Sequence, residues 1–113
     1  MIQHYILNES GVGIPCDDLN EWAQWYMDNH ADHSLIDDVP AIDDPQTKMR
    51  VKTGYVGRDI NGLKVLWQTI AMYNTHRRVL GRYNTKEDSV TGHEKAVAYA
   101  RTLTDASFFA IKE

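Results

Sequence analysis

Between Met49 and Tyr55 apolar and polar side chains alternate: Met49, Val51, Thr53 and Tyr55 against Arg50, Lys52 and Gly54. A period of two is the signature of a strand with one solvated face. Asn61-Gly62 is a strong hairpin signal, but with the first strand ending near Gly57 the connection is longer than the two-residue ideal. The returning segment, 63–73, is apolar on both sides, with Leu63, Val65, Trp67 and Ala71 on one and Leu66, Ile70 and Met72 on the other. That pattern predicts a central strand with a helix on one face and a partner on the other. After the polar turn at 74–77, residues 78–83 read as a short third strand bounded by Arg, as edge strands often are. Residues 2–7 predict a further short strand, ended by the turn cluster Asn8-Glu9-Ser10-Gly11.

A period near 3.6 marks two helices. The first, about 18–29, starts at Pro15-Cys16-Asp17-Asp18, where an Asp caps free N–H groups and acids oppose the positive end of the helix dipole. Leu19, Trp22, Ala23 and Tyr26 fall on one face, and Trp25 lies to its side. The second opens at Thr85-Lys86-Glu87-Asp88, with Thr85 as N-cap, and runs to about Leu103. Its apolar stripe is Val90, His93, Ala96, Val97, Ala100 and Leu103, interrupted only by the histidine. The tail, Ser107-Phe108-Phe109-Ala110-Ile111, is apolar enough to be expected to pack on the domain.

Residues 30–47 differ in kind. They hold Asp32, Asp37, Asp38, Asp43 and Asp44, two histidines and two prolines, and predict a long irregular acidic loop. The expected architecture is therefore a single α+β domain over 1–113, with a three- to four-stranded antiparallel sheet and two helices packed on one face.

Charge changes this picture most. All twelve Lys and Arg residues follow position 47, whereas ten of the sixteen acids precede it. Segregation of this kind sets long-range fields and steering, not the fold. The acidic loop therefore either neutralises a basic sheet or offers an acidic face to a partner. The hydrophobic fraction of 42% suits a folded domain of this size rather than a disordered chain. No apolar run approaches a membrane span, and Met1-Ile2-Gln3-His4 does not open like a secretory signal. The lone Cys16 excludes an intramolecular disulfide and fits a reducing cytoplasm.

Candidate chemistry is sparse. His30-x-x-His33 with the nearby aspartates is the best candidate for Zn, Mn or Fe, because imidazole and carboxylate suit these ions. It has neither an HExxH motif nor a cysteine pair beside it, and a solvated acidic loop accounts for the same residues. Cys16 sits where a helix dipole would activate a thiol, but Asp17 and Asp18 oppose a thiolate, so it reads as a small buried residue. His93, inside an apolar stripe, must be hydrogen-bonded. It reads as a neutral structural residue, the alternative being a general base beside Glu94 or Tyr55. Arg77, Arg78, Arg82 and Lys86, extended by Arg50, Lys52, Arg58 and Lys64, make a basic surface. Without an RNP-like aromatic motif or a helix-turn-helix pattern, nucleic acid is not the expected partner.

The order of several blocks carries a resemblance. Tyr5-Ile6-Leu7 and the run from Val12 to Ala23 are followed by Val51-Lys52-Thr53-Gly54-Tyr55-Val56-Gly57, by Leu66-Trp67-Gln68-Thr69, and by Arg82-Tyr83-Asn84-Thr85 leading to Gly92-His93-Glu94-Lys95-Ala96-Val97. Over most of its length the chain resembles a family of small uncharacterised proteins encoded by tailed bacteriophages and prophages. The resemblance implies a phage context and transfers no catalytic residue. The expectation is a non-enzymatic accessory protein in the host bacterial cytoplasm, binding a host macromolecule and inhibiting a host defence. Asp32, Asp37, Asp38, Asp43 and Asp44 would form the partner-binding surface, no cofactor is needed, and the doubly apolar strand predicts a homodimer. The alternatives are a metal-dependent hydrolase using His30, His33 and the loop aspartates, and a minor virion component.

Overall fold

The structure, a computed structural model, describes residues 2–41, 44–73 and 76–103. The apolar tail 107–111, Asp43 and the start of the polar turn at 74–75 lie outside the described residues. In chain order the elements are β1 (His4–Leu7), β2 (Gly13–Cys16), α1 (Leu19–Asn29), a 3-10 turn (His30–His33), β3 (Leu35–Ala41), β4 (Asp44–Ile60), β5 (Leu63–Tyr73), β6 (His76–Tyr83) and α2 (Lys86–Ala100). All strand pairs are antiparallel, so the class is α+β.

The sheet has six strands rather than three or four, in the order β2-β1-β4-β5-β6, with β3 also on β4. The reason is the length of β4, seventeen residues. One edge of it pairs with β5; the other seats β3 along its first half and β1 at Arg58. Two irregularities extend it past the expected end at Gly57. Between Tyr55 and Arg58 the register shifts as a bulge, and Gly57 adopts a positive φ of 61° there. A Cβ at Gly57 would lie 2.6 Å from the Tyr5 carbonyl oxygen, so only glycine lets β4 close on β1. Beyond the bulge, Ile60 pairs with Leu63, and Asn61-Gly62, both at positive φ, form the two-residue hairpin turn.

Both helices lie over one face. Met49, Val51, Thr53 and Tyr55 are buried beneath them, as the period of two requires. Val51 and Val39 meet Ala96 and Ala100 of α2, with Leu80 and Val97 against the same group. Tyr55, Leu66 and Trp67 meet Trp25 and Tyr26 of α1. The Asp18 carboxylate caps α1 by accepting from Asn20 N at 2.9 Å and Glu21 N at 3.3 Å. The Thr85 hydroxyl caps α2 by accepting from Asp88 N at 3.1 Å.

The buried side of α1 is rotated from the expected one. Leu19 is 60% exposed and Ala23 is also exposed, whereas Trp22, Trp25 and Tyr26 are half-buried. Trp22 Nε1 donates to Tyr5 O at 3.0 Å, and the Trp25 ring meets Tyr55 edge-on at 5.0 Å. The large rings find partners on the sheet, and they set the helix rotation at the expense of Leu19.

Candidate functional site

The segment 35–41 is a strand, not part of an acidic loop, because every second residue has a reason to face the helices. Val39 is buried opposite Met49, and Asp37, opposite Val51, turns toward α2. Its Oδ2 lies 2.7 Å from His93 Nε2. Asp38, one residue on, points to the other face and accepts from Arg50 Nε at 3.0 Å. Asp37 and Asp38 therefore serve opposite faces of the sheet. Asp32 is exposed on the 3-10 turn, and Asp44, paired with Ala41, begins β4.

His93 continues inward from Asp37. Its Nδ1 is 2.8 Å from Thr53 Oγ1, which in turn bonds the hydroxyl of Thr69. One assignment satisfies the whole line with a neutral imidazole: Nε2–H donates to Asp37, Thr53 donates to Nδ1, and Thr69 donates to Thr53. The sequence of groups resembles a nucleophile activated by a His–carboxylate pair. Access decides against that chemistry, since Thr53 is 1% and Thr69 0% exposed. The network ties α2 to β3, β4 and β5. Its partners are not Glu94 or Tyr55, and burial pushes the Tyr55 phenol well above its usual range.

His30 and His33 do not converge. His30 stacks on Tyr26 and its Nδ1 lies 2.9 Å from Tyr26 O. His33 stacks beside Trp25 and meets Trp67 edge-on at 6.2 Å. Its Nδ1 and the Trp67 Nε1 are buried without a hydrogen-bond partner among the described residues. Burial, and then the nearby Lys86 charge, hold the His33 imidazole below its ordinary pKa. Among the described residues, no three His, Cys, Asp or Glu side chains form a metal-binding group. Cys16 is buried, and burial together with the Glu21 charge raises its thiol, which disfavours a nucleophilic thiolate.

Two surface features stand out. The first is the face of the sheet opposite the helices, which β2 reaches at one end, where Gly13 lies against the buried Leu66 and the Gly13 carbonyl oxygen accepts from Lys64 Nζ at 3.1 Å. Ile36, Val56, Ile70 and Met72 are apolar there, and Ile36 is 54% exposed. Lys52, Arg50, Arg77 and Arg82 surround them, and Asp38 lies opposite Arg50. Arg82 Nε donates to Gln68 Oε1 at 3.1 Å, which lays this cation along the rim. A shallow depression of about 120 Å3 lies between Lys52, Val56, Gln68 and Ile70. Of the Trp and Tyr rings of β4 and β5, Tyr55 and Trp67 pack under the helices and Tyr73 packs against Met49, Ala71 and Leu103, so they supply no stacking platform for bases on the basic face. The second surface is a groove of about 920 Å3 between β6 and α2.

Sequence reading found the basic strand residues and the doubly apolar strand but missed the groove. Gly81 and Gly92 were its one available signal, since two glycines in element interiors imply a close approach. Compared with known proteins, the chain matches no family model, no curated protein and no solved structure. Among the described residues, no helix is long and apolar enough to cross a membrane.

Proposed function

We propose that this is a phage-encoded, non-enzymatic accessory protein that binds a protein of its bacterial host in the cytoplasm, with inhibition of a host defence as the task. The observation that carries this reading is the open sheet face, an apolar centre of Val56, Ile70 and Met72 inside a basic rim. A fully desolvated apolar centre with a polar rim is how protein interfaces are organised. The rim also selects the kind of partner. Two copies of this face brought together would set Lys52, Arg77 and Arg82 against their equals, which disfavours a homodimer through it. An acidic rim on a different protein complements it. Asp37 and Asp38 are engaged with His93 and Arg50, though both carboxylates remain about half exposed.

The test is a pair of variants, Ile70→Asp and Lys52→Glu, compared with the parent chain for capture of a bacterial protein at two salt concentrations. Both variants are expected to fold and to lose the captured protein, and the parent is expected to bind it less at high salt. Capture that is unchanged in both variants contradicts the reading.

A further inference from the structure

We propose that the depression over Gly54 is the anchor point of the open sheet face and takes one carboxylate side chain of the partner. This rests on the reading of that face as a binding surface, and it adds which side chain of the partner is recognised and by which residues.

Gly54 is a residue the fold itself does not require. It lies inside β4, directly opposite Gln68 on β5. Glycine within a strand gives up cross-strand packing and loses more chain entropy on folding than any other residue. Positive φ angles among the described residues occur at Gly11, Gly57, Asn61 and Gly62, so the backbone at Gly54 has no need of glycine. Packing does not need it either. An added Cβ would strike the Tyr5 carbonyl oxygen at Gly57 and the Leu66 side chain at Gly13. At Gly54 the nearest atoms are Lys52 Cε and Ser34 Oγ, both 3.9 Å away. The missing side chain instead leaves the depression of about 120 Å3 between Lys52, Val56, Gln68 and Ile70. That is room for about four waters, and so for one side chain rather than a small-molecule ligand. Glycine inside a strand is also where another chain can approach closely.

The lining selects the side chain. Lys52 and Gly54 share one side of β4, and the Lys52 stem leans toward the glycine, as the position of its Cε shows. Among the described residues, no carboxylate lies within ion-pair distance of the Lys52 ammonium. Gln68 faces it from β5. Its Oε1 accepts from Arg82 Nε at 3.1 Å, which leaves the carboxamide N–H groups to donate. No carboxylate lines the depression, and Asp38, on the same face, is held by Arg50. The polar side chains of the lining are therefore donors, and Val56 and Ile70 are its apolar walls. A carboxylate on a methylene stem matches both, with the stem against the walls and the oxygens in charge-assisted hydrogen bonds to Lys52 and Gln68. A basic side chain would meet Lys52, and an apolar one would cover the ammonium and the carboxamide without giving them a partner.

The experiment has two arms. In the first, amide chemical shifts of the full chain are followed during titration with the capped tripeptides Val-Glu-Val and Val-Gln-Val, to about 50 mM because a single anchoring contact binds weakly. The Glu peptide is expected to shift the amides of Lys52, Gly54 and Gln68 and to bind about tenfold more tightly than the Gln peptide. Lys52→Met should remove that preference. Gly54→Val, which fills the depression, is expected to melt at or above the temperature of the parent and to lose the response. Equal response to the two peptides, no shift at Gly54 and Gln68, or a Gly54→Val variant that melts below the parent overturns the proposal. In the second arm, Gly54→Val is compared with Ile70→Asp for capture of the bacterial protein, and both are expected to lose it. Capture kept by Gly54→Val but lost by Ile70→Asp overturns the anchor and leaves the open face standing. No capture by the parent counts against the open face, and the peptide titration then decides the anchor.

Discussion

His93 Nε2 and Asp37 Oδ2 lie 2.7 Å apart although 56 residues separate them in sequence. This contact joins the acidic first part of the chain to the second helix, and its two ends differ sharply. The His93 side chain is 5% exposed and that of Asp37 57%. Removing the buried member, in His93→Ala, leaves a cavity and strands the Thr53 and Thr69 hydroxyls, for a loss of about 3 kcal/mol. Asp37→Ala leaves an N–H that water can reach, for a loss of about 1 kcal/mol. Denaturant unfolding of both variants measures the order, and equal losses would contradict the assignment of the network.

Tyr83 between two glycines predicts a reversal of sign. Gly92→Ala should gain helix propensity of about 1 kcal/mol in isolation. In this protein the added methyl meets the Tyr83 ring, so the variant is expected to be less stable by about 1–3 kcal/mol. In a Tyr83→Ala background the same change should become neutral or stabilising. A double-mutant cycle with no coupling would show that the ring does not fill this space.

His33 predicts a pH dependence. Its folded-state pKa lies below the ordinary 6.5, so the unfolded chain binds the proton more readily. This group's contribution is intact above about 6.5 and is lost as pH falls from there through the folded value. Because Nδ1 is also buried without a partner, His33→Phe should stabilise the fold and flatten the melting temperature against pH below 6.5. An unchanged slope in the variant would show that His33 titrates freely.

The strand period at Met49–Tyr55, the Asn61-Gly62 turn, both helix caps and the structural role of His93 were legible because each is local or demands burial. β3 was not. Leu35-Ile36-Asp37-Asp38-Val39-Pro40 shows no alternation, and what admits Asp37 to the helix side is a histidine far along the chain. The rotation of α1 was hidden for a related reason. Trp22, Trp25 and Tyr26 span more than one face, and the position of Tyr55 decides which of them is covered. Two contacts bear on the question posed by the charge segregation: Asp38 meets Arg50, and Asp37 meets His93. Of the residues expected to make one basic surface, Lys52, Arg77 and Arg82 lie on the open face, whereas Arg78 pairs with the buried Ala71 and falls on the other side.

The most direct test of the open face is photo-crosslinking in bacterial cells. A photoreactive amino acid would replace Lys52, Gln68 or Met72 on that face, and Glu21 or Gln24 on α1 as controls. The account predicts that one bacterial protein is crosslinked from all three sheet positions and from neither helix position. Crosslinks that arise equally from α1, or none from the sheet, would contradict it.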